Sequence, residues 1–336
     1  MNAESTIAAA QLERLPWHDA LWSQLHSAWR EHRWPHAILL HGPESVGKHA
    51  LATRVAHAVL CDRRGEDWQA CGNCASCKLM QSHTHPDLLI IAPEEDKQQI
   101  SIDQIRESCA SLALTSYRRG YKVAIIVPAH QMTLGAANSL LKTLEEPTSN
   151  TTLILVTSRP GSLLATLRSR CQQVAVRAPT ERMGQEWLTK ATGKTPSHQL
   201  MRFVNHAPLR ALAMAEGRYE ALSQEVHEDI DALMAGRHDV THIAKRWAND
   251  DFLDRLSFVD HWLCDRIRKA IVGSADPITG MPLPIDAREL NISRLYGCLD
   301  RLRALQAQLA RTALQRELAA DSMLIDLFEA LNVRRN

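Results

Sequence analysis

The sequence lacks both a long apolar run and an excess of charge of one sign. Its formal net charge is +1 over 336 residues, which argues against binding nucleic acid through bulk charge and leaves room only for a local contact. No apolar run approaches the roughly 18 residues that a membrane helix needs. The start, MNAESTIAAAQLERLPW, has no basic stretch followed by an apolar core, so no secretion signal is predicted. We therefore expect a cytoplasmic protein with no membrane partner.

What the sequence does contain is an alternation of short apolar runs and amphipathic helices in its first half. Five runs predict strands: AILL, DLLIIAP, YKVAIIV, TTLILVTS and CQQVAVRAP. Continuous Val/Ile/Leu runs between helices indicate a mostly parallel sheet that is covered on both faces. Beyond about residue 178 only helical periodicity remains. The pattern predicts an α/β domain over 1–178, a small helical domain over 179–218 and a C-terminal helical domain over 219–336.

A glycine-rich loop, GPESVGKH, follows the first predicted strand. Its Gly-x4-Gly-Lys spacing places backbone N–H groups and a helix N-terminus around phosphate oxygens. Gly42, Gly47 and Lys48 are therefore candidate residues for binding ATP or ADP. The Ser or Thr that normally follows the lysine and binds Mg²⁺ is replaced by His49. Nucleotide binding and a tight turn that binds nothing both stay open at this point.

The acidic half of a hydrolysing site is also missing. P-loop ATPases hold Mg²⁺ with an aspartate after the strand beside the loop, and we assign that strand to Val123–Val127. The strand runs into Pro128, Ala129 and His130, with no carboxylate at its end. Without the hydroxyl and the acid, Mg²⁺-dependent hydrolysis has no evident machinery, so no intrinsic enzymatic activity is expected.

Four of the eight cysteines form a compact cluster. Cys61, Cys71, Cys74 and Cys77 have the spacing C-x9-C-x2-C-x2-C, which matches tetrahedral Zn²⁺ ligation. Four thiolates leave no open coordination position, so the predicted zinc is structural. Reduced surface thiols, a redox pair and an iron–sulfur cluster are the alternatives. The other four cysteines occur in apolar phase and are predicted to be core thiols: Cys109, Cys171, Cys264 and Cys298.

Together and in this order, the motifs resemble the clamp-loader members of the AAA+ superfamily. The resemblance covers about residues 35–175 and is carried by PHAILLHGPESVGKH, CDRRGEDWQACGNCASCKLM, HPDLLIIAPEE, ANSLLKTLEEP and LLATLRSRC. It implies an AAA+ P-loop-like domain over 1–178 with a four-cysteine zinc insertion at 61–77. It also implies that 179–218 form the lid domain and 219–336 the collar domain through which subunits assemble.

Departures from the family pattern indicate the role of this subunit. The motor subunits, gamma/tau, keep Lys-Thr in the loop and Asp-Glu after the strand, where this chain has Lys48–His49 and Val127–Pro128. The resemblance therefore implies a non-hydrolysing stator of the DNA polymerase III clamp loader, and a gamma/tau-like active ATPase is the alternative. Its implied partners are the gamma/tau and delta subunits and, through the complex, the sliding clamp (beta) and primed DNA. A zinc-stabilised protein that binds DNA alone is a third hypothesis, which the near-zero net charge disfavours.

The resemblance also gives a role to the SRC motif, Ser169, Arg170 and Cys171. In clamp loaders this arginine projects into the ATP site of the neighbouring subunit, where a guanidinium can bind γ-phosphate oxygens. Read from the residues alone, Arg170 is a solvated cation favoured by a helix dipole. Glu145 and Glu146 in LLKTLEEP are interpreted as a solvated helix end and an interface.

Overall fold

A computed structural model describes residues 14–95, 97–118, 120–214, 217–249, 251–272, 291–309 and 315–332. The chain divides into two compact units, the first formed by Met1–Trp187 with Ala207–Leu209 and the second by Leu188–His206 with Arg210–Asn336. The domain boundaries proposed at 178 and 218 stay predictions. None of the described helices is long and apolar enough to cross a membrane.

The first unit is built on a five-stranded parallel sheet. Its strands are β1 (Ala37–His41), β2 (Leu88–Ile91), β3 (Lys122–Ile126), β4 (Thr151–Thr157) and β5 (Gln172–Ala175), in the order β2-β3-β4-β1-β5. All five predicted strands are confirmed. The expectation that β3 lies directly beside the glycine-loop strand was wrong, because β4 pairs with β1 and β3 lies one strand further out.

Helices cover both faces of this sheet, as the apolar strands required. They are α1 (Asp19–Arg30), α2 (Lys48–Leu60), α3 (Ala75–Gln81), α4 (Ile102–Ala113), α5 (Leu134–Glu145) and α6 (Ala165–Arg168). Helix α7 (Glu181–Thr192) follows β5 along the chain and is divided between the two units after Trp187. Successive strand residues point to opposite faces. Ile38 and Leu40 pack with residues of α1, α2 and the cysteine segment, whereas Leu39 packs with residues of α4, α5 and α6.

The second unit is entirely helical in its described part, as predicted. Its helices are α8 (His198–Phe203), α9 (Pro208–Ala213), whose first two residues belong to the first unit, α10 (Arg218–Met234), α11 (Val240–Trp247), α12 (Phe252–Val272), α13 (Ile292–Leu309) and α14 (Arg316–Leu331). Helix α11 packs on α14, and α12 packs on α13. The ring of Phe203 lies 5.3 Å from Tyr219 and 5.9 Å from Phe258. The fold is therefore α/β followed by all-α, which confirms the predicted class.

Candidate functional site

The glycine loop keeps the backbone shape that its sequence requires. Gly42 has φ +151°, and a Cβ there would lie 2.0 Å from the carbonyl oxygen of Val176. Gly47 has φ +82° and is the N-cap of α2. Both conformations disfavour any residue with a side chain. The loop thus connects the end of β1 to the start of α2, in the place that a phosphate-binding loop occupies.

The segment that precedes α1 packs directly on this loop. The indole Nε1 of Trp17 and the imidazole Nε2 of His18 both donate to the carbonyl oxygen of Val46, each at 2.9 Å. A Cβ at Gly47 would lie only 2.4 Å from Leu15 Cδ1. His18 is 2% exposed, and burial lowers its pKa to about 4. The loop is therefore covered by neutral side chains of its own chain.

The lysine of the loop is also turned inward. Lys48 is 8% exposed, and its Nζ donates to the carbonyl oxygen of Pro43 within the loop. Burial lowers the pKa of Lys48, and the nearby Glu44 opposes that shift. The ammonium group therefore bonds to the loop's own backbone.

At the carboxyl ends of the strands, next to the loop, lie His130 after β3 and the hydroxyl groups of Thr157 and Ser158 at the end of β4. His130 Nδ1 lies 3.0 Å from Thr157 Oγ1, and the pKa of His130 is lowered by burial and by Arg159. Ser158 donates to Glu44 Oε1 at 3.1 Å. A neutral imidazole is a poor ligand for Mg²⁺, which prefers hard oxygen ligands.

The four clustered cysteines converge on one point. Their Sγ atoms all lie within 4.8 Å of one another. The separations are 3.6 Å for Cys61–Cys77, 3.9 Å for Cys61–Cys74 and 4.0 Å for Cys71–Cys77. A tetrahedral zinc with Zn–S bonds of about 2.3 Å requires sulfur separations of about 3.8 Å. The donor set therefore fits a metal such as zinc.

Backbone groups of the same segment face the sulfur atoms. The N–H of Cys71 donates to Cys61 Sγ at 3.3 Å, that of Cys74 to Cys71 Sγ at 3.4 Å, and that of Cys77 to Cys74 Sγ at 3.4 Å. Backbone N–H groups, those of Asn73 and Cys74, lower the pKa of Cys71 to about 6. Burial raises the pKa of Cys61 and of Cys77. Because the thiolate is the metal-binding form, a bound cation would favour the ionised form of all four.

Tryptophans join the cysteine segment to α1. Trp68 is 1% exposed, and its ring lies 4.8 Å from Trp22, 5.2 Å from Trp34 and 5.9 Å from Trp29. Trp22 Nε1 also donates to the carbonyl oxygen of Asp67 at 3.1 Å. The contacts of Trp68 and Trp22 therefore depend on the conformation of the cysteine segment.

The remaining cysteines only partly match their prediction as core thiols. Cys171 and Cys298 are buried, and burial raises the pKa of each to about 11. Cys109 and Cys264 are only half-buried. Cys264 Sγ accepts a hydrogen bond from Arg303 at 3.4 Å, so this thiol has a polar neighbour as well as apolar ones.

The SRC motif places its arginine on the surface between two buried anchors. Leu167 and Cys171 are buried in the sheet core, while the Arg170 side chain is 35% exposed. Its NH1 donates to the carbonyl oxygen of Thr166 at 3.0 Å, and its NH2 lies 2.5 Å from Glu145 Oε1. These contacts belong to α5 and α6. The glycine loop instead contacts the segment before α1, Ser158 after β4 and Val176 after β5, so the two predicted sites have different neighbours.

Three residues of these sites were not predicted from the sequence. Glu145 was interpreted as part of a solvated helix end and an interface. It is 51% exposed at the end of α5, and the ion pair that it forms with Arg170 was not predicted. An acid in the last turn of α5 interacts unfavourably with the helix dipole. This unfavourable position could have indicated from the sequence that Glu145 has a cationic partner. Trp17 and His18 had no such signal, because they contact the loop across 29 and 28 residues of chain.

Comparisons with known proteins identify subunits of DNA polymerase III as relatives. A family model described as DNA polymerase III, delta subunit, matches residues 17–180. The DNA polymerase III subunit delta′ of Pseudomonas aeruginosa is 36% identical over 254 residues, covering 74% of this chain and 75% of that protein. The delta′ subunit of Escherichia coli is 35% identical over 204 residues, covering 60% and 61%. The tau subunit of Bacillus subtilis is 34% identical over 149 residues, covering 44% of this chain and 26% of tau.

Proposed function

This chain belongs to the family of DNA polymerase III delta′ subunits, and from that membership we propose that it is a non-hydrolysing stator of the clamp loader. Its partners would be the gamma/tau and delta subunits, with the sliding clamp and primed DNA engaged through the assembled complex. The helices of its second unit would contribute to the collar that joins the subunits. The chain would not polymerise nucleotides itself.

The position of Lys48 is the observation that carries the non-hydrolysing part of this proposal. A working loop directs its lysine at the terminal phosphates, whereas Lys48 is buried and bonded to the Pro43 carbonyl oxygen. His49 stands where Mg²⁺ needs a hydroxyl, and Val127 and Pro128 stand where the motor subunits have acids. The packing of Trp17 and His18 on Val46 supports the same conclusion.

Arg170 would supply the chemistry that this chain adds to the complex. It would enter the ATP site of an adjacent gamma/tau subunit as an arginine finger, with Ser169 and Cys171 shaping its backbone. There the guanidinium would donate to γ-phosphate oxygens and stabilise the negative charge of the transition state. Its exposure and its buried flanking residues support this role, because the side chain is accessible while its backbone is anchored.

The four-cysteine centre would hold a structural zinc ion. Cys61, Cys71, Cys74 and Cys77 occupy all four tetrahedral positions, so the metal would have no site for substrate. Its effect would be to fix the segment that carries Trp68 against α1.

ATP turnover by a reconstituted clamp loader, with clamp and primed DNA present, tests the two cations separately. The complex would contain this chain unchanged, with Lys48→Ala, or with Arg170→Ala. An arginine finger contributes roughly 10³–10⁵ at its own site. We expect Arg170→Ala to remove at least the share of turnover of one site, and Lys48→Ala to leave turnover unchanged.

The reverse result would support the alternative, a gamma/tau-like ATPase, which the retained Gly-x4-Gly-Lys pattern favours. In that case Lys48→Ala would lower turnover, Arg170→Ala would be silent, and the purified chain alone would hydrolyse ATP.

A further inference from the structure

The guanidinium of Arg170 is held at both of its terminal nitrogens. NH1 donates to the Thr166 carbonyl oxygen at 3.0 Å, and NH2 lies 2.5 Å from Glu145 Oε1. Two contacts on opposite nitrogens fix the plane of the group as well as its position. An arginine carries five N–H donors. Among the described residues, the hydrogen bond to Thr166 uses one of these donors, and the contact with Glu145 is an ion pair, so further N–H groups are left for an incoming phosphate.

The partner carboxylate stands in a position that α5 itself disfavours. Glu145 is the last residue of α5, where the helix dipole is unfavourable for an acid. Its side chain is 51% exposed, so burial does not explain its orientation. The ion pair with Arg170 is the interaction that offsets the dipole.

We propose that Glu145 is a positioning residue for Arg170. Its carboxylate and the Thr166 carbonyl oxygen orient the guanidinium before a neighbouring subunit presents a nucleotide, so that the free N–H groups meet the γ-phosphate without a search through rotamers. The inference rests on the proposed function, since it assumes that Arg170 acts in trans. It assigns Glu145 no contact with the nucleotide.

The expected effect lies in turnover rather than in stability. Exposed ion pairs contribute little to folding stability, so loss of Glu145 should leave the subunit folded and able to assemble. An arginine released from a fixed orientation must be ordered again in each transition state. We expect Glu145→Ala to lower kcat at the adjacent site by about 3–10-fold, far less than loss of the finger itself, with KM for ATP nearly unchanged.

The test compares Glu145→Ala, Glu145→Gln and Glu107→Ala in the reconstituted clamp loader, with assembly checked by size-exclusion chromatography. Glu145→Gln keeps an oxygen that can accept from NH2, so it should recover part of the lost kcat. Glu107→Ala removes an exposed carboxylate on α4 and should match the unchanged protein. If Glu145→Ala fails to assemble, Glu145→Asp tests the same orientation, because its shorter side chain withdraws the carboxylate from Arg170. An unchanged kcat for Glu145→Asp would then overturn the inference.

A double-mutant cycle with Arg170→Ala separates positioning from a general structural effect. If Glu145 acts through the finger, Glu145→Ala should cause no further loss once Arg170 is absent. An equal loss in both backgrounds, or an equal loss from Glu107→Ala, would overturn the inference. If Arg170→Ala leaves ATP turnover unchanged, both the proposed function and the inference are contradicted. If Arg170→Ala lowers turnover and Glu145→Ala does not, only the inference fails.

Discussion

At the scale of single residues, two cations of this chain have opposite surroundings. Lys48 is 8% exposed and bonded to a carbonyl oxygen of its own loop. Arg170 is 35% exposed and sits between an acid and a carbonyl oxygen at the surface. The loop lysine thus bonds to its own backbone, while the arginine is partly exposed at the surface. This contrast underlies the division of roles proposed above.

His18, which packs on the glycine loop, makes the stability of the fold sensitive to pH. Burial lowers its pKa from 6.5 to about 4 in the folded protein. A neutral His18 therefore stabilises the fold above pH 6.5, and that contribution is lost as the pH falls from 6.5 towards 4. Between pH 7.5 and pH 5, this histidine should lower the free energy of unfolding by about 2 kcal/mol.

The measurement is urea unfolding at both pH values for the unchanged protein and for His18→Gln. The glutamine can still donate to the Val46 carbonyl oxygen but does not titrate. Burial also lowers the pKa of His57, His85 and His130, so both proteins should lose stability at pH 5. The variant should lose about 2 kcal/mol less. Equal losses would contradict a buried, neutral His18.

Residues could be predicted where chemistry is local, and not where it depends on distant contacts. The C-x2-C steps specified Cys71, Cys74 and Cys77 as neighbours because two intervening residues leave little freedom, and the three converge. The contact of His18 with Val46 spans 28 residues and has no periodic signature. The pairing of Arg170 with Glu145 likewise depends on how α5 and α6 pack.

At the scale of elements, the strands were predictable and their order was not. A run such as TTLILVT indicates a strand buried on both faces, and β4 is buried throughout. The same run carries no information about its neighbours, so the position of β4 between β1 and β3 came only from the structure. Which strand ends meet the glycine loop depends on that order. The sequence therefore predicted which residues form the candidate site, but it did not predict how they are arranged in space.

The start of α4 is set by a capping box, a short-range pattern that can be recognised in the sequence as Ser101 followed by Gln104. Ser101 Oγ accepts from the N–H of Gln104, and the Gln104 side chain accepts from the N–H of Ser101. Ser101→Ala breaks this reciprocal pair, so the free energy of unfolding should fall by about 1 kcal/mol. Chemical denaturation should show no such change for Ser149→Ala, which alters an exposed turn residue before β4. Equal stabilities of the two variants would mean that the cap contributes nothing.

At the scale of the whole molecule, the four clustered cysteines belong to one of the two units. Cys61, Cys71, Cys74 and Cys77 all lie in the first unit, where the segment that carries them packs on α1 and α2. The second unit has its own core, with Trp247, Phe258 and Trp262 fully buried. A ligand stabilises the cooperative unit that binds it, and cooperative units open with separate free energies. Metal loss should therefore destabilise the two units unequally.

Hydrogen exchange with mass spectrometry tests this on the full chain before and after chelation. Amides of α1, α2 and the cysteine segment should exchange at least about tenfold faster once zinc is removed, the change that a loss of about 1.4 kcal/mol produces. Amides of α10 to α14 should keep their rates, and added zinc should restore the first unit. Cys74→Ser should reproduce chelation, whereas Cys109→Ser, at a half-buried thiol outside the centre, should not. Equal acceleration in both units would show that they open together, and no acceleration in either would show that the four thiols do not hold a structural metal.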